Sequence, residues 1–287
     1  MGRPDKENLL AWGIIVALMF YVIIRAILVP ITYDEAATFF HYIQSGKVWP
    51  GEAHWDANNH ILNSFFTRLS YLILGDAEWA LRLPNVLAAL LYFYGSYRLA
   101  FTIEDRKLRW LLFLSLACSR FVVEFLSLSR GYGLSMGLFV MAIYLLYRWM
   151  SELNAKVLFV ACLFMLAATL ANLSLLAVAM LFSSWVVWWV LVNDRSKLPQ
   201  SMLATVLNAA GILWFTRISF ELKERGLLYY GEQDGFWITT VKSLTDYGLA
   251  PWGVLGGYLV HGMLILAGTL LTIILVKTGL KSIFKCK

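Results

Sequence analysis

Two adjacent carboxylates, Asp34 and Glu35, stand in the stretch Ile31–Phe40 (ITYDEAATFF), just after an apolar run that ends at Val29. A carboxylate in this setting has two uses. Asp is among the preferred N-cap residues, so Asp34 reads as the cap of a helix continuing through Ala36, Ala37 and Phe40. Held at a membrane surface, partly desolvated and near a helix N-terminus, the same group can accept a proton from a hydroxyl or amine as a general base.

Further polar residues cluster downstream. The segment Ala53–Phe65 (AHWDANNHILNSF) gathers His54, Asp56, Asn58, Asn59 and His60. The spacing H-x-D-x3-H holds enough ligands for a divalent metal but matches no strong zinc signature. Capping of the following helix or contact with a polar substrate is favoured instead, and no cofactor is assigned. In Ser127–Gly137 (SLSRGYGLSMG), Arg130 and Tyr132 occupy a turn between apolar runs. An arginine there either snorkels to headgroups or clamps a phosphate with its planar fork. Arg68, Arg82, Glu124, Arg217 and His261 are ionisable residues at or near membrane depth, costly there unless partnered. The stretch Glu221–Gly253 mixes aromatics with Glu232, Gln233, Asp234 and Asp246, which suits stacking on a sugar or an ordinary interfacial belt.

The elements that must position these groups are membrane helices. The chain is 60% hydrophobic and only 15% charged, with a mean hydropathy of +0.68. Apolar runs long enough to cross a bilayer recur at Leu9–Val29, Leu83–Leu99, Trp110–Leu128, Tyr132–Trp149, Val157–Ala171, Leu175–Val192, Met202–Phe220 and Trp252–Val276. The expected fold is all-α, a single membrane domain over residues 1–287 with about eight spans and no separate soluble C-terminal domain. The first run exceeds a signal-peptide h-region and reads as a retained anchor. Two shorter amphipathic segments, Glu35–Gly46 and Asn59–Leu74, suit helices lying in the interface. Cys118 and Cys162 lie in apolar runs and Cys286 in a Lys-rich tail, so no disulfide framework is implied.

Charge decides orientation. With Asn59–Leu74 in the interface, five segments share one side: the N-terminus, Arg98–Arg109, Arg148–Lys156, Asn193–Lys197 and the tail after Val276. They hold 14 of the 24 Lys and Arg residues but 6 of the 18 acids, the bias of cytoplasmic segments. Letting Asn59–Leu74 cross would carry Arg98, Arg106, Lys107 and Arg109 outside, against that bias. The net charge of +6 then reports topology, and nucleic acid is not a partner. The loop from Pro30 to Arg82, with Asp34, falls on the external face of the cytoplasmic membrane, as do the turn at Arg130 and the loop from Glu221 to Pro251.

The order of these features resembles the GT-C superfamily of membrane glycosyltransferases, most closely the family 39 and aminoarabinose-transferase-like branch that includes protein O-mannosyltransferases. Tyr33-Asp34-Glu35 after the first span is similar to the family's external D-E motif. Asn59-His60-Ile61-Leu62, Leu74-Gly75-Asp76 and EWALRLPNVLAALL from Glu78 look like its PPL…fG…alRlp segment, with Asn-His-Ile where Pro-Pro-Leu is common. SLSRGYGLSMG looks like the turn E-A-R-x-Y-x-L, with Leu128 in the acidic place and Glu124 one turn earlier.

The resemblance implies two juxtamembrane helices in the first external loop and an inverting glycosyltransferase that uses a polyprenyl-phosphate-linked sugar. Its acceptor would be a glycan, lipid or protein outside the membrane. Asp34 would be the catalytic base, and Arg130 and Arg82 would stabilise the leaving phosphate. Glu35, His54, Asp56, Asn59, His60 and Tyr132 would contact or position substrates. Members are commonly longer, so a minimal enzyme, a truncated product or a subunit with a partner chain are all consistent with this length. A transporter or flippase, or a silent subunit binding lipid-linked sugar, is the rival reading.

Overall fold

In the computed structural model the chain divides into two compact units, Met1–Leu228 and Tyr229–Lys287. The residues described are 6–193 and 198–227, all in the first unit. The expected span Trp252–Val276, the aromatic stretch beyond Leu227, His261 and Cys286 lie outside them.

Every regular element among the described residues is helical. Helix α1 (Lys6–Leu28) is followed by a short α2 (Tyr33–Thr38) that continues as a π-helix over Phe39–Gln44. Next come α3 (Ile61–Leu74), α4 (Glu78–Ala100), α5 (Arg106–Ala117) and α6 (Arg120–Phe125). The last four are α7 (Gly131–Glu152), α8 (Ala155–Ala171), α9 (Leu176–Asn193) and α10 (Leu198–Glu224). Among the described residues three helical stretches are long and apolar enough to cross a membrane: Lys6–Leu28, Gly131–Glu152 and Leu173–Asn193. The two amphipathic segments of the first loop are helical where their periodicity placed them.

The run Trp110–Leu128 is not one helix. It breaks at Cys118-Ser119 into α5 and α6, with Ser119 extended at φ −63°, ψ 108°. Neither Pro nor Gly marks the break; packing does. Val123 and Leu126 of the α6 region share a core with Ala11, Ile15 and Val22 of α1, and Arg25 of α1 donates through Nε to Ser127 Oγ at 3.0 Å.

Helix α7 lies against α4 on one side and α8 on the other. Small residues make the approach close: a Cβ on Gly137 would stand 2.5 Å from the Ala88 carbonyl oxygen, and one on Gly133 2.5 Å from that of Phe125. Gly133 and Gly137 sit one turn apart, the small-xxx-small spacing of packed membrane helices. Pro84 within α4 cannot donate to the Ala80 carbonyl. Ser70 Oγ of α3 donates to that oxygen instead, which satisfies it and pins α3 to α4. Both ends of α1 are tied down: Glu7 pairs with Arg106 at 2.7 Å and Arg109 at 3.0 Å, and the other end enters the site described next.

Candidate functional site

The site is built where α1 ends, α2 begins and α7 begins. Thr32 is the N-cap of α2: its side chain accepts from Glu35 N–H while Glu35 Oε2 accepts from Thr32 N–H at 2.9 Å. This is a capping box. The expectation that Asp34 caps this helix is therefore corrected, because Asp34 lies inside the first turn. The signal was legible as Thr-x-x-Glu.

Glu35 has a larger role than capping. Its carboxylate takes a bidentate contact from Arg82, Nε to Oε1 and Nη2 to Oε2 both at 2.8 Å. Oε1 also accepts from the Ser129 backbone N–H at 2.6 Å. The remaining Arg82 donors reach the carbonyls of Ala26, Val29 and Pro30, capping the last turn of α1, where carbonyls lack helical partners. All five guanidinium N–H groups thus have acceptors. Burial would raise the Glu35 carboxyl, but the bonds from Arg82, Ser129 and Thr32 and the Arg82 charge outweigh it and hold it below its ordinary value. Both side chains are 1% exposed. Glu35 and Arg82, expected to contact substrate, are buried, and their polar atoms are spent on joining α1, α2, α4 and the turn before α7.

Successive helical residues point about 100° apart, so Asp34 faces elsewhere. Its side chain is 49% exposed and lies 3.3 Å from Nη2 of Arg130, whose own side chain is 6% exposed. Arg130 Nη2 also donates to Asn58 Oδ1 at 3.2 Å, and Asn58 is set by an Asx turn in which its N–H donates to Asp56 Oδ1 at 2.7 Å. Arg130 Nη1 is buried with no hydrogen-bond partner among the described residues. Arg130 is the residue before α7, so the positive end of that helix dipole falls at the same place.

His60 lies fully buried beside this arginine. Its Nδ1 meets the Ala171 carbonyl oxygen at 3.0 Å, which makes Nδ1 the donor and leaves Nε2 as an acceptor. Nε2 is buried without a partner among the described residues. Burial first, then the Arg130 charge, pushes the imidazole down to about 3, so it is neutral at physiological pH. Tyr132 packs edge-on against His60 at 4.9 Å and tilted against Phe125 at 4.8 Å, with the Arg130 guanidinium 5.7 Å from its ring centre.

No family model, curated protein or solved structure matches the chain. The site is read from its own geometry. The structure brings Asp34, Arg130, Tyr132 and His60 together, and adds Asn58. Asn59 serves the loop: Nδ2 donates to the Val48 carbonyl at 3.2 Å and Oδ1 accepts from Ser64 at 3.3 Å. His54 is exposed and stacked on His41 at 4.6 Å. His54, Asp56 and His60 do not form a metal set, and no group of three His, Cys, Asp or Glu able to hold an ion occurs among the described residues. Glu124 pairs with Arg120 at 3.0 Å along α6.

Missed from the sequence were Thr32, Ser129 and a buried amide pair. Asn85 of α4 donates to Asn63 of α3 at 2.6 Å and accepts from the Leu134 N–H at 2.8 Å, satisfying one of α7's first-turn donors. Below these groups runs an apolar groove of about 630 Å³, lined by Leu62, Phe66 and Ile73 of α3, Leu87 of α4, and Leu134 and Leu138 of α7. Leu62 and Leu134 place its start within about one helical turn of His60 and Arg130.

Proposed function

We propose that the chain is an inverting glycosyltransferase of GT-C type, crossing the cytoplasmic membrane about eight times, with Asp34 on the extracytoplasmic face. The observation that carries this reading is a half-exposed carboxylate beside a buried guanidinium whose Nη1 has no partner among the described residues. A base and an anion receptor are thereby adjacent. The apolar groove that begins a turn below them supports a donor with a phosphate head and a hydrocarbon tail, the chemistry of a polyprenyl-phosphate sugar.

Binding comes first. Arg130, with the α7 dipole behind it, receives the donor phosphate and in doing so releases Asp34 from its ion pair. Asp34 takes the proton of an acceptor hydroxyl or amine. The acceptor atom bonds to the anomeric carbon, the bond from that carbon to the phosphate oxygen breaks, and polyprenyl phosphate departs with charge that Arg130 stabilises. His60, being neutral, offers Nε2 as a fixed acceptor for a substrate hydroxyl and takes no part in proton release. Glu35 and Arg82 act through position: they fix the first turn of α2, and with it the direction of Asp34.

A silent subunit that binds lipid-linked sugar is the second reading, and the Asp34–Arg130 contact favours it, since a carboxylate engaged by a guanidinium is not turned to an acceptor. The test is transfer by the purified chain supplied with a panel of polyprenyl-phosphate sugars, with Asp34→Asn alongside. Transfer by the native chain, lost in Asp34→Asn while donor lipid is still bound, supports the enzyme. Donor binding without turnover in either form supports the silent subunit.

A further inference from the structure

The opposite end of α4 and α7 holds a second cavity that no step above uses. It is a cleft of about 280 Å³ with Arg98, Tyr97, Tyr144, Tyr147, Arg148 and Glu152 on its walls. Arg98 lies sixteen residues along α4 from Arg82, about 24 Å at a helical rise. That is close to the thickness of a hydrocarbon core, so a chain with Asp34 at one interface has this cleft at the other. Charge bias makes that interface cytoplasmic.

The charges in the cleft do not cancel. Arg148 grips Glu152 through two hydrogen bonds at 2.8 and 3.0 Å, so those two neutralise each other. Arg98 has no carboxylate within ion-pair distance among the described residues. It is held by aromatic groups: Nη1 donates to Tyr94 Oη at 2.8 Å, and the guanidinium carbon stands 5.7 Å from the Tyr94 ring centre and 5.1 Å from that of Tyr144. Cation–π contacts of this kind fix a guanidinium in place without consuming its charge. The result is one preoriented positive charge with the remaining N–H donors of its fork available, in a cleft edged by tyrosines at a membrane surface. Tyrosines favour such surfaces because one end of the ring is apolar and the other wet.

We infer that this cleft binds the phosphate headgroup of an anionic membrane lipid, one phosphodiester against one uncompensated arginine. Basic pockets between membrane helices on the cytoplasmic side are suited to such headgroups. The site is separate from the external one and stands whether or not sugar transfer occurs there.

The experiment uses the purified, delipidated full chain, with lipid retention read by native mass spectrometry and thermal stability followed in parallel. Phosphatidylglycerol, phosphatidylcholine and inorganic phosphate are the three probes. Retention of phosphatidylglycerol over phosphatidylcholine is expected, weakened about fivefold in Arg98→Gln, the worth of one charge at a membrane surface. Glu152→Gln frees Arg148 and is expected to raise the preference by a similar factor. A merely structural role would not give opposite signs in the two variants, and Glu152→Gln keeps the test alive if Arg98→Gln misfolds. Equal retention of both lipids, unchanged preference in the variants, or inorganic phosphate stabilising the chain as well as phosphatidylglycerol would each overturn the lipid assignment.

Discussion

Two carboxylate–guanidinium pairs begin on neighbouring residues of one short helix, and they differ in almost every physical respect. Glu35–Arg82 is bidentate, 1% exposed on both sides and saturated with hydrogen bonds. Asp34–Arg130 is a single contact at 3.3 Å, half-exposed on the acid side, with one guanidinium nitrogen unpartnered among the described residues. A buried ion pair survives only when its partners satisfy one another and their remaining lone pairs and protons, because desolvation is so costly. The first pair meets that condition and is a fastener. The second does not, and an unsatisfied buried donor is where a ligand gains most. Function is thus assigned by incompleteness, while proximity in sequence says nothing about role.

The sharpest way to break the comparison is to remove charge from the fastener. Glu35→Gln keeps the shape but leaves the buried Arg82 with only the half-exposed Glu78 carboxylate, 4.0 Å away, as counter-charge, at a cost approaching that of a broken buried pair, about 3–5 kcal/mol. Unfolding of the purified variant in detergent is expected to show that loss, together with loss of the proposed transfer. On the proposed reaction, Asp34→Asn is expected to lower transfer by about 10²–10⁴-fold, the scale of a general base, while costing less in unfolding than Glu35→Gln, because the Asp34 side of the pair is 49% exposed and screened by solvent. Were Asp34→Asn the destabilised variant and Glu35→Gln the stable, inactive one, the two roles would have to be exchanged.

Much of the scaffold was legible because hydropathy and charge are properties of segments. The helices of the first loop and the long apolar helices α1 and α7 follow from periodicity and run length. The break between α5 and α6 did not, since the chain stays apolar through Cys118-Ser119 and only contacts with α1 bend it. At the site, Asp34, Arg130 and His60 stood out by residue type. Which acid would be buried was not readable from type, because Asp34 and Glu35 are chemically alike. It was readable from Thr32, whose capping box turns the N3 residue inward. Ser129 and Asn58 were invisible in this respect: one acts through a backbone N–H and the other through a loop that only tertiary structure brings to Arg130.

Gly131, the residue after Arg130, packs against His60 and Ala171 and offers a smaller perturbation. A Cβ there would collide with the Ala171 carbonyl oxygen and with the His60 ring. Gly131→Ala is expected to cost about 1–3 kcal/mol, as overpacking does, and to displace His60 from Ala171. Activity should fall more than stability alone accounts for, because His60 and Arg130 share this corner, while the fastener is untouched. A variant with native melting and native activity would show that the corner tolerates slack, and would count against a preorganised receptor around Arg130.

The mildest test uses pH and separates the open corner from the sealed one by range, since both lose stability as pH falls. His60 has its ordinary value near 6.5 when exposed and is pushed down to about 3 by burial and by Arg130. The unfolded chain therefore binds a proton at this residue that the folded chain refuses. Stability contributed by neutral His60 is complete above pH 6.5 and is lost as pH falls toward about 3, by about 1 kcal/mol between pH 7 and pH 5.5. Glu35 is also held low, yet its contribution fades only below its ordinary value near 4.5, so between pH 7 and pH 5.5 only His60 titrates of the two. Melting curves from pH 7 to pH 5.5 are expected to drop in the native chain and to flatten in His60→Gln, whose amide can keep a bond to Ala171 without titrating. Equal slopes in both would mean that the imidazole charges freely in the folded state. His60 would then be open to solvent, and the corner would lose the neutral acceptor on which its reading as a hydroxyl-binding site depends.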